Sequence, residues 1–219
     1  MRQASSVSGY IMTTLKIITL LLLITLCSCG QKKPYSKVDV NVARLSNKII
    51  PLTNYIDNPD SCKKALSFLD SATTIDSTCF LCYYNKLMFL SSLKQYDKGI
   101  LTINRLLRLR PFANNLYLTG GVFYIKSGDT TSANAYFQKS LTICNNVLDT
   151  MSNDNRDYIM LTINKAINII MLGDQIKGNE ILKQLHDKQT DSTYRDYIAS
   201  FMNKTKDELI DLSEGKYSR

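Results

Sequence analysis

Glycine and proline are scarce in this chain, with nine and four copies among 219 residues. Sandwiches and barrels join many short strands through tight turns, which these two residue types serve best. The scarcity therefore argues against such folds and favours helices. Histidine is scarcer still, because His186 is the only one in the sequence. A single imidazole excludes most metal sites and any reaction that requires two imidazoles.

The balance of charged and apolar residues is that of an ordinary folded chain. Charged residues make up 21% and apolar residues 44% of the sequence, and the formal net charge is +8. A disordered segment would contain fewer apolar residues, and a protein with several membrane spans would contain far more. The composition therefore excludes both classes.

The longest hydrophobic run lies near the N-terminus, where Lys16 precedes ten uncharged residues at 17–26. A helix that spans a bilayer needs about 20 apolar residues. The run is too short for a permanent span and matches the hydrophobic segment of a signal peptide. A more ordinary signal begins at Met12, so both Met1 and Met12 are candidate starts.

The run ends in Leu-Cys-Ser-Cys-Gly at residues 26–30, which resembles the bacterial lipobox. The resemblance implies cleavage after Ser28 and the attachment of diacylglycerol and an N-acyl chain such as palmitate to Cys29. A plain secretory signal that happens to contain cysteine is the alternative. Cleavage removes the cations Arg2 and Lys16 and no acid, so the charge falls from +8 to +6. Two or three acyl chains anchor a protein firmly, so we expect an anchored rather than a spanning protein.

The residues that follow Cys29 form a short basic tether without apolar periodicity. Gly30 directly follows Cys29, at the position where an Asp marks retention in the inner membrane of enteric bacteria. The acidic residues that follow the Cys in some surface lipoproteins are also missing, since Gln31, Lys32 and Lys33 occupy those places. By resemblance, these features indicate a lipoprotein of the outer membrane that faces the periplasm.

Within residues 114–143, small and bulky side chains recur at the spacing of two antiparallel helices. Small residues such as Gly121 and Ala133 let two helices approach closely, and bulky ones such as Tyr124 and Phe137 fill the space toward the next pair. The segment resembles a tetratricopeptide repeat, a unit of 34 residues. The matching positions are Tyr117, Gly121, Tyr124, Ala133, Phe137 and Ser140, with Gly128 and Asp129 at the turn.

The pattern continues in the preceding segments. Residues 80–113 match it, and Pro111 lies where the second helix should end, because proline cannot continue a helix. One period earlier, Asn58 and Pro59 are a typical cap and first residue of a second helix. The first helix of that earlier repeat contains Pro51, so we expect it to be degenerate or kinked.

Beyond residue 143 the pattern is interrupted and then resumes. A polar insertion occupies residues 145–155, and repeat positions return from Ala166 to Leu185. The amphipathic stretch from Tyr194 to Leu212 is typical of a capping helix, which keeps the last repeat from exposing an apolar face.

The resemblance implies an all-α fold, a right-handed superhelix of three to four helix pairs with a C-terminal capping helix. A single pair cannot bury its own apolar face, so at least three must stack. An unrelated helical bundle is the alternative. We predict a lipoprotein signal peptide over residues 1–28, a lipidated basic tether over 29–44, a tetratricopeptide-repeat domain over 45–212 and a disordered tail over 213–219.

Cys79 and Cys82 have the spacing of a redox motif. A thioredoxin-like site requires a preceding strand, whereas this pair begins a repeat helix. Cys62 and Cys82 fall at opposite ends of their helices, too far apart to form a bridge. We therefore expect buried thiols at Cys62 and Cys144, and either buried thiols or a local Cys79–Cys82 bridge in an oxidising compartment. A catalytic cysteine pair is the alternative.

Other signs of chemistry are few. His186 lies late in a helix beside Asp187, where a solvated imidazole interacts favourably with the helix dipole. No partners for a catalytic or zinc site are evident. The basic stretch at residues 105–110 ends a helix and is typical of a solvated face or of contact with anionic lipid rather than with nucleic acid. We predict no enzyme, no cofactor, no metal and no small-molecule substrate.

The resemblance implies a concave surface built by the first helix of each repeat. Asn85 fits one place of a carboxylate clamp, but the lysine and arginine places hold apolar or neutral residues. The surface is instead apolar with Met and Tyr, and such surfaces repack around an amphipathic helix or an extended segment. In the alternative, the C-terminal helix covers the Ile and Met residues of the fourth repeat. The candidate partner-binding residues are Tyr84, Asn85, Met88, Leu118, Val122, Ile125, Ile163 and Ile167.

These features predict a membrane-anchored scaffold that holds an envelope protein or peptide in an apolar concave groove. A second hypothesis is a structural accessory of an outer-membrane assembly machine, similar to the repeat lipoproteins of the barrel-assembly complex. A third is a periplasmic thiol oxidoreductase that uses Cys79 and Cys82.

Overall fold

The computed structural model describes residues 39–153 and 156–213, and the regular structure within these ranges is helical throughout. The interpretations of the signal peptide, of Cys29 and of the tail beyond residue 213 fall outside these ranges. The helices are α1 (Val40–Asn47), a 3₁₀ helix (Ile50–Tyr55), α2 (Pro59–Ile75), α3 (Phe80–Ser92), α4 (Tyr96–Leu109), α5 (Asn114–Ser127), α6 (Thr130–Leu148), α7 (Arg156–Met171), α8 (Gln175–Lys188), α9 (Ser192–Ala199) and α10 (Lys206–Ser213).

Consecutive helices pack against each other as antiparallel pairs: α3 with α4, α5 with α6, and α7 with α8. The pairs also stack in chain order, since α4 packs on α5 and α6 packs on α7. Buried side chains such as Ile103, Leu106 and Leu116 fill the space between successive pairs. The predicted all-α superhelix of stacked helix pairs is confirmed.

The turns between α5 and α6 and between α7 and α8 share one design. Gly128 ends α5 with a φ of +90°, in the left-handed region that glycine adopts without strain. The carboxylate of Asp129 then accepts a hydrogen bond of 2.9 Å from the backbone N–H of Ser132 and so caps α6. Gly173, with a φ of +108°, and Asp174 repeat the arrangement before α8.

The first repeat is irregular, as predicted from Pro51. α1 ends at Asn47, and the proline lies in the 3₁₀ helix that follows. The next helix is regular, because the side chain of Asn58 accepts hydrogen bonds from the first backbone N–H groups of α2 and Pro59 takes the first helical position. The first residues of α1, from Val40 onward, lie within the segment predicted as a tether.

The first part of the polar insertion predicted over residues 145–155 is helical. α6 continues through Asn145 to Leu148, so that helical structure includes the first residues of the predicted insertion. The helix α7 then begins at Arg156. Within residues 39–153 and 156–213, the helices are all too short or too polar to traverse a bilayer.

The C-terminal stretch forms two short helices, α9 and α10, rather than one continuous capping helix. Asn203 breaks the stretch with a φ of +59°, and its backbone N–H donates to the Asn179 side chain at 2.7 Å. Thr205 and Glu208 then form a capping box, because each side chain accepts a hydrogen bond from the other residue's backbone N–H. The chain therefore turns before α10, and α10 packs on α5 and α7.

Candidate partner-binding groove

An open cavity of about 260 Å³ lies between α3 and α5, the first helices of two neighbouring pairs. Tyr84 and Met88 border it from α3 and keep 40% and 38% of their surface exposed. Thr119 and Val122 border it from α5. The cavity thus combines an apolar wall with hydroxyl groups. Its other lining residues are Asn85, Leu87, Ser91, Tyr96, Phe123 and Lys126.

The helix α3 presents Tyr84 and Met88 because its other side is anchored in the core. The two side chains are four residues apart and share one face, whereas Cys82 and Phe89 have no exposed surface. The Tyr84 ring also stacks on the ring of Phe80, with centroids 6.0 Å apart. The aromatic wall of the cavity is therefore held from the preceding helical turn.

The last helix covers the adjoining part of the same concave surface, which we call the covered groove. Ile210 of α10 is 3% exposed and belongs to a buried cluster with Val122, Phe137 and Met171. Leu118, Ile125 and Ile167 are partly buried around this cluster. The chain thus inserts its own aliphatic side chain between α5 and α7.

Two polar contacts hold α10 on the covered groove. Lys206 donates from Nζ to the carbonyl oxygen of Met171 at 2.9 Å. Asp211 pairs with Lys126, with 3.7 Å between the carboxylate oxygen and Nζ. Lys126 also borders the open cavity, so one cation lies at the junction between the open cavity and the covered groove.

The helices that form the open cavity match a known repeat. Residues 81–112, which include most of α3 and all of α4, match the family model of the tetratricopeptide repeat. The chain therefore contains a tetratricopeptide repeat over these residues. Among curated protein sequences, none matches the chain.

Several solved structures resemble the repeat array of this chain. PilW, described as a widely conserved type IV pilus biogenesis factor, is 14% identical with a TM-score of 0.51, over 81% of this chain and 72% of PilW. MamA from Desulfovibrio magneticus RS-1 is 16% identical with a TM-score of 0.47, over 69% and 76%. A tetratricopeptide repeat protein from Parabacteroides merdae is 15% identical with a TM-score of 0.41, over 95% and 87%. At such identities, the likeness to PilW concerns the fold alone.

The structure divides the eight candidate groove residues of the repeat protein into three groups. Tyr84, Asn85 and Met88 border the open cavity, and Val122 borders both the cavity and the covered groove. Ile163 is only 1% exposed and belongs to a different buried cluster, shared with α9 and α10. A partner could reach Ile163 only if those helices moved away. The remaining three, Leu118, Ile125 and Ile167, lie around Ile210 in the covered groove.

The alternative in which the C-terminal helix covers the Ile and Met residues of the fourth repeat holds for Ile163 and Met171, which are buried, but Met160 is 41% exposed. The repeat pattern places Lys126 on the concave surface, but sequence reasoning did not identify Ile210 or Asp211 as occupants of the groove. One local signal was available, because Thr205 followed by Glu208 is a capping-box pattern that marks a helix start at residue 206.

The cysteine pair of the repeat protein forms a local disulfide between Cys79 and Cys82 at the start of α3. The sulfur of Cys79 caps the helix by accepting a hydrogen bond of 3.3 Å from the backbone N–H of Cys82. Cys82 has no exposed surface, while Cys62 and Cys144 are buried free thiols. Burial raises the pKa of the Cys144 thiol. The bridge fixes the helix end that precedes Tyr84.

The other candidate chemical groups have structural contacts. His186 lies beside Asp187, with 3.3 Å between Nδ1 and the carboxylate. Hydrogen bonds from Lys183, and then from His186, lower the pKa of Asp187. In the basic stretch, the guanidinium of Arg110 lies 3.8 Å from the ring centroid of Phe80. The part of the chain that the structure describes contains no group of three or more His, Cys, Asp or Glu residues placed to hold a metal ion.

Proposed function

We propose that this protein is a membrane-anchored, non-enzymatic scaffold that holds a segment of another envelope protein in its concave groove. The observation that carries the proposal is the open cavity between α3 and α5, with Tyr84 and Met88 exposed at its edge. Their apolar surface lies on a helix whose opposite side is anchored in the core through Cys82 and Phe89. A bound segment would remove that surface from water and so gain the free energy of apolar burial.

The two side chains suit recognition of a protein segment. Methionine is flexible and polarisable, so Met88 can adapt to differently shaped apolar side chains. Tyrosine offers a large apolar ring with a polar end, and such residues contribute strongly to binding at protein interfaces. Thr119, Ser91 and Asn85 supply hydrogen-bonding groups around them. The chemistry fits a segment with apolar anchors.

Photocrosslinking tests this proposal directly. A benzoylphenylalanine placed at Met88 of the full chain should yield a discrete crosslinked product with an envelope protein in intact cells. The matched control position is Leu101 of α4, which is 68% exposed and lies outside the cavity. Equal yields of the same product from both positions, or no product from position 88, would contradict the proposal.

The membrane anchor is proposed on the lipobox-like sequence that ends in Cys29. Metabolic labelling with a palmitate analogue should label the wild-type chain and not the Cys29→Ala variant. Fractionation of the two membranes should then recover the labelled protein with the outer membrane. Equal labelling of the variant would contradict the assignment of Cys29.

A further inference from the structure

The last helix is too short to be stable without the groove. α10 contains eight residues, and isolated helices shorter than about 12–15 residues are marginal in water. The chain reaches it through a break at Asn203, where φ is positive. The helical form of α10 therefore depends on its contacts with the rest of the chain.

The way in which α10 is bound shows which chemistry the concave surface accepts. Ile210 fills the apolar covered groove, and the neighbouring Asp211 pairs with Lys126. Lys206 in the first turn donates to the carbonyl oxygen of Met171, whereas Asp207 and Glu208 are exposed. The bound element is an amphipathic helix that combines an aliphatic anchor with one carboxylate placed on Lys126.

The open cavity and the covered groove are continuous. Val122 and Lys126 belong to both, because each borders the cavity and also contacts α10 or its cluster. A ligand that extends from the cavity along α5 therefore reaches the space that α10 occupies. It also reaches Lys126, which already pairs with Asp211 of α10. Such a ligand must replace Asp211 with a carboxylate of its own or leave Lys126 without that pairing.

We infer that α10 is a displaceable internal ligand, and that the external partner presents in its place an amphipathic helix with an aliphatic anchor and a carboxylate for Lys126. The inference rests on the proposed function and adds to it the chemical class of the partner. The groove then alternates between a closed form, occupied by α10, and an open form, occupied by the partner's helix.

A synthetic peptide provides the test, because its sequence can be copied from residues 203–213. The fluorescein-labelled peptide is titrated with the full chain, and binding is followed by anisotropy. We expect weak binding to the wild-type chain, whose groove is occupied, and at least tenfold tighter binding to the Ile210→Asp variant, whose own α10 is dislodged. Equal affinity for the two proteins, or no binding to a folded variant, would overturn the inference.

Changes in the peptide separate charge from helicity. Replacing the residue that corresponds to Asp211 by Asn removes only the ion pair with Lys126, and we expect affinity for Ile210→Asp to fall a few-fold. Replacing it by Pro also breaks the helix, and we expect a loss of more than tenfold. If the Asn and Pro peptides bind equally, the groove does not require a helix and the inference is wrong.

A second measurement covers the case in which Ile210→Asp fails to fold. Hydrogen exchange of the wild-type full chain should show the amides of α10 exchanging faster than those of α5 and α7, through openings that leave the array intact. Exchange of all three helices at one common rate would overturn the inference. The crosslinking test at Met88 is independent, since a product there together with failed peptide binding would leave the proposed function standing without a displaceable α10.

Discussion

The ring of Phe137 lies so close to Gly121 that a Cβ at position 121 would overlap it. The contact joins α5 and α6 at the floor of the covered groove, because Phe137 belongs to the cluster that receives Ile210. The ring of Phe123 on α5 lies equally close to Gly99 on α4, and this contact joins two successive pairs. The close approach of α5 and α6 and the shape of the covered groove thus both require a glycine at position 121.

Gly121→Ala should therefore destabilise the fold. The added methyl group must push the Phe137 ring out of a filled core, and overpacking of this kind costs about 1–3 kcal/mol. Urea unfolding monitored by circular dichroism measures the change. The control is Thr131→Ala, an exposed position on α6, which should change stability by less than about 0.5 kcal/mol. A Gly121→Ala variant as stable as the wild-type chain would show that the contact is looser than described.

Gly128→Ala should also lower the free energy of unfolding, for a conformational reason. The residue has a φ of +90°, and a non-glycine residue in the left-handed region costs about 1–2 kcal/mol. Nothing lies near a Cβ at this position, so steric overlap plays no part. Gly128→Asn should lose less stability than Gly128→Ala, because asparagine tolerates this conformation better. Equal losses for Ala and Asn would contradict the explanation.

Tyr136 should make the protein sensitive to alkali. Burial, together with the nearby Tyr124, raises the pKa of Tyr136 to about 12, and its hydroxyl donates to Asn104 at 2.7 Å. The folded chain therefore keeps this proton between pH 10 and 12 while the unfolded chain loses it, so stability falls as pH rises through that window. Thermal unfolding between pH 9 and 11.5 should show a weaker decline for Tyr136→Phe. An unchanged decline would contradict the assignment.

Removal of the Cys79–Cys82 bridge should weaken the fold only moderately. The bridge closes a loop of four residues, and the chain-entropy model gives at most about 2 kcal/mol for such a short loop. Cys79→Ser should therefore remain folded at 25 °C with a lowered urea midpoint. Because the pair begins a repeat helix and does not follow a strand, we also expect insulin reduction by the reduced wild-type chain to be no faster than by Cys79→Ser. Faster reduction would favour the oxidoreductase hypothesis.

The parts of the fold that the sequence predicts are those with local causes. Pro111 lies beyond the end of α4, Asn58 caps α2 and Gly128 ends α5. Each of these residues acts on backbone groups within a few positions, so its effect can be identified without knowledge of the partner helix. The irregular first repeat follows from Pro51 in the same way.

The candidate site depends on contacts between residues far apart in the chain, and these were only partly predictable. The pattern placed Tyr84 and Met88 on the first helix of a pair, and both border the open cavity. It could not establish that Ile163 would be buried beneath α9 and α10, because that depends on the break at Asn203. Asn168 illustrates the same limit, since this fully buried residue donates to Ser140 across two helices.

The ion pair between Lys126 and Asp211 marks a boundary that ligands of different lengths would experience differently. Under the proposed displacement of α10, a short segment confined to the open cavity would bind without disturbing α10, with its intrinsic affinity. A longer segment would bind only after α10 leaves, and its apparent affinity would be reduced in proportion to the fraction of molecules in which the groove is open. The protein would thus bind short segments more tightly than the same segments extended over α10. Any change elsewhere in the chain that holds α10 more or less firmly would alter this difference in affinity.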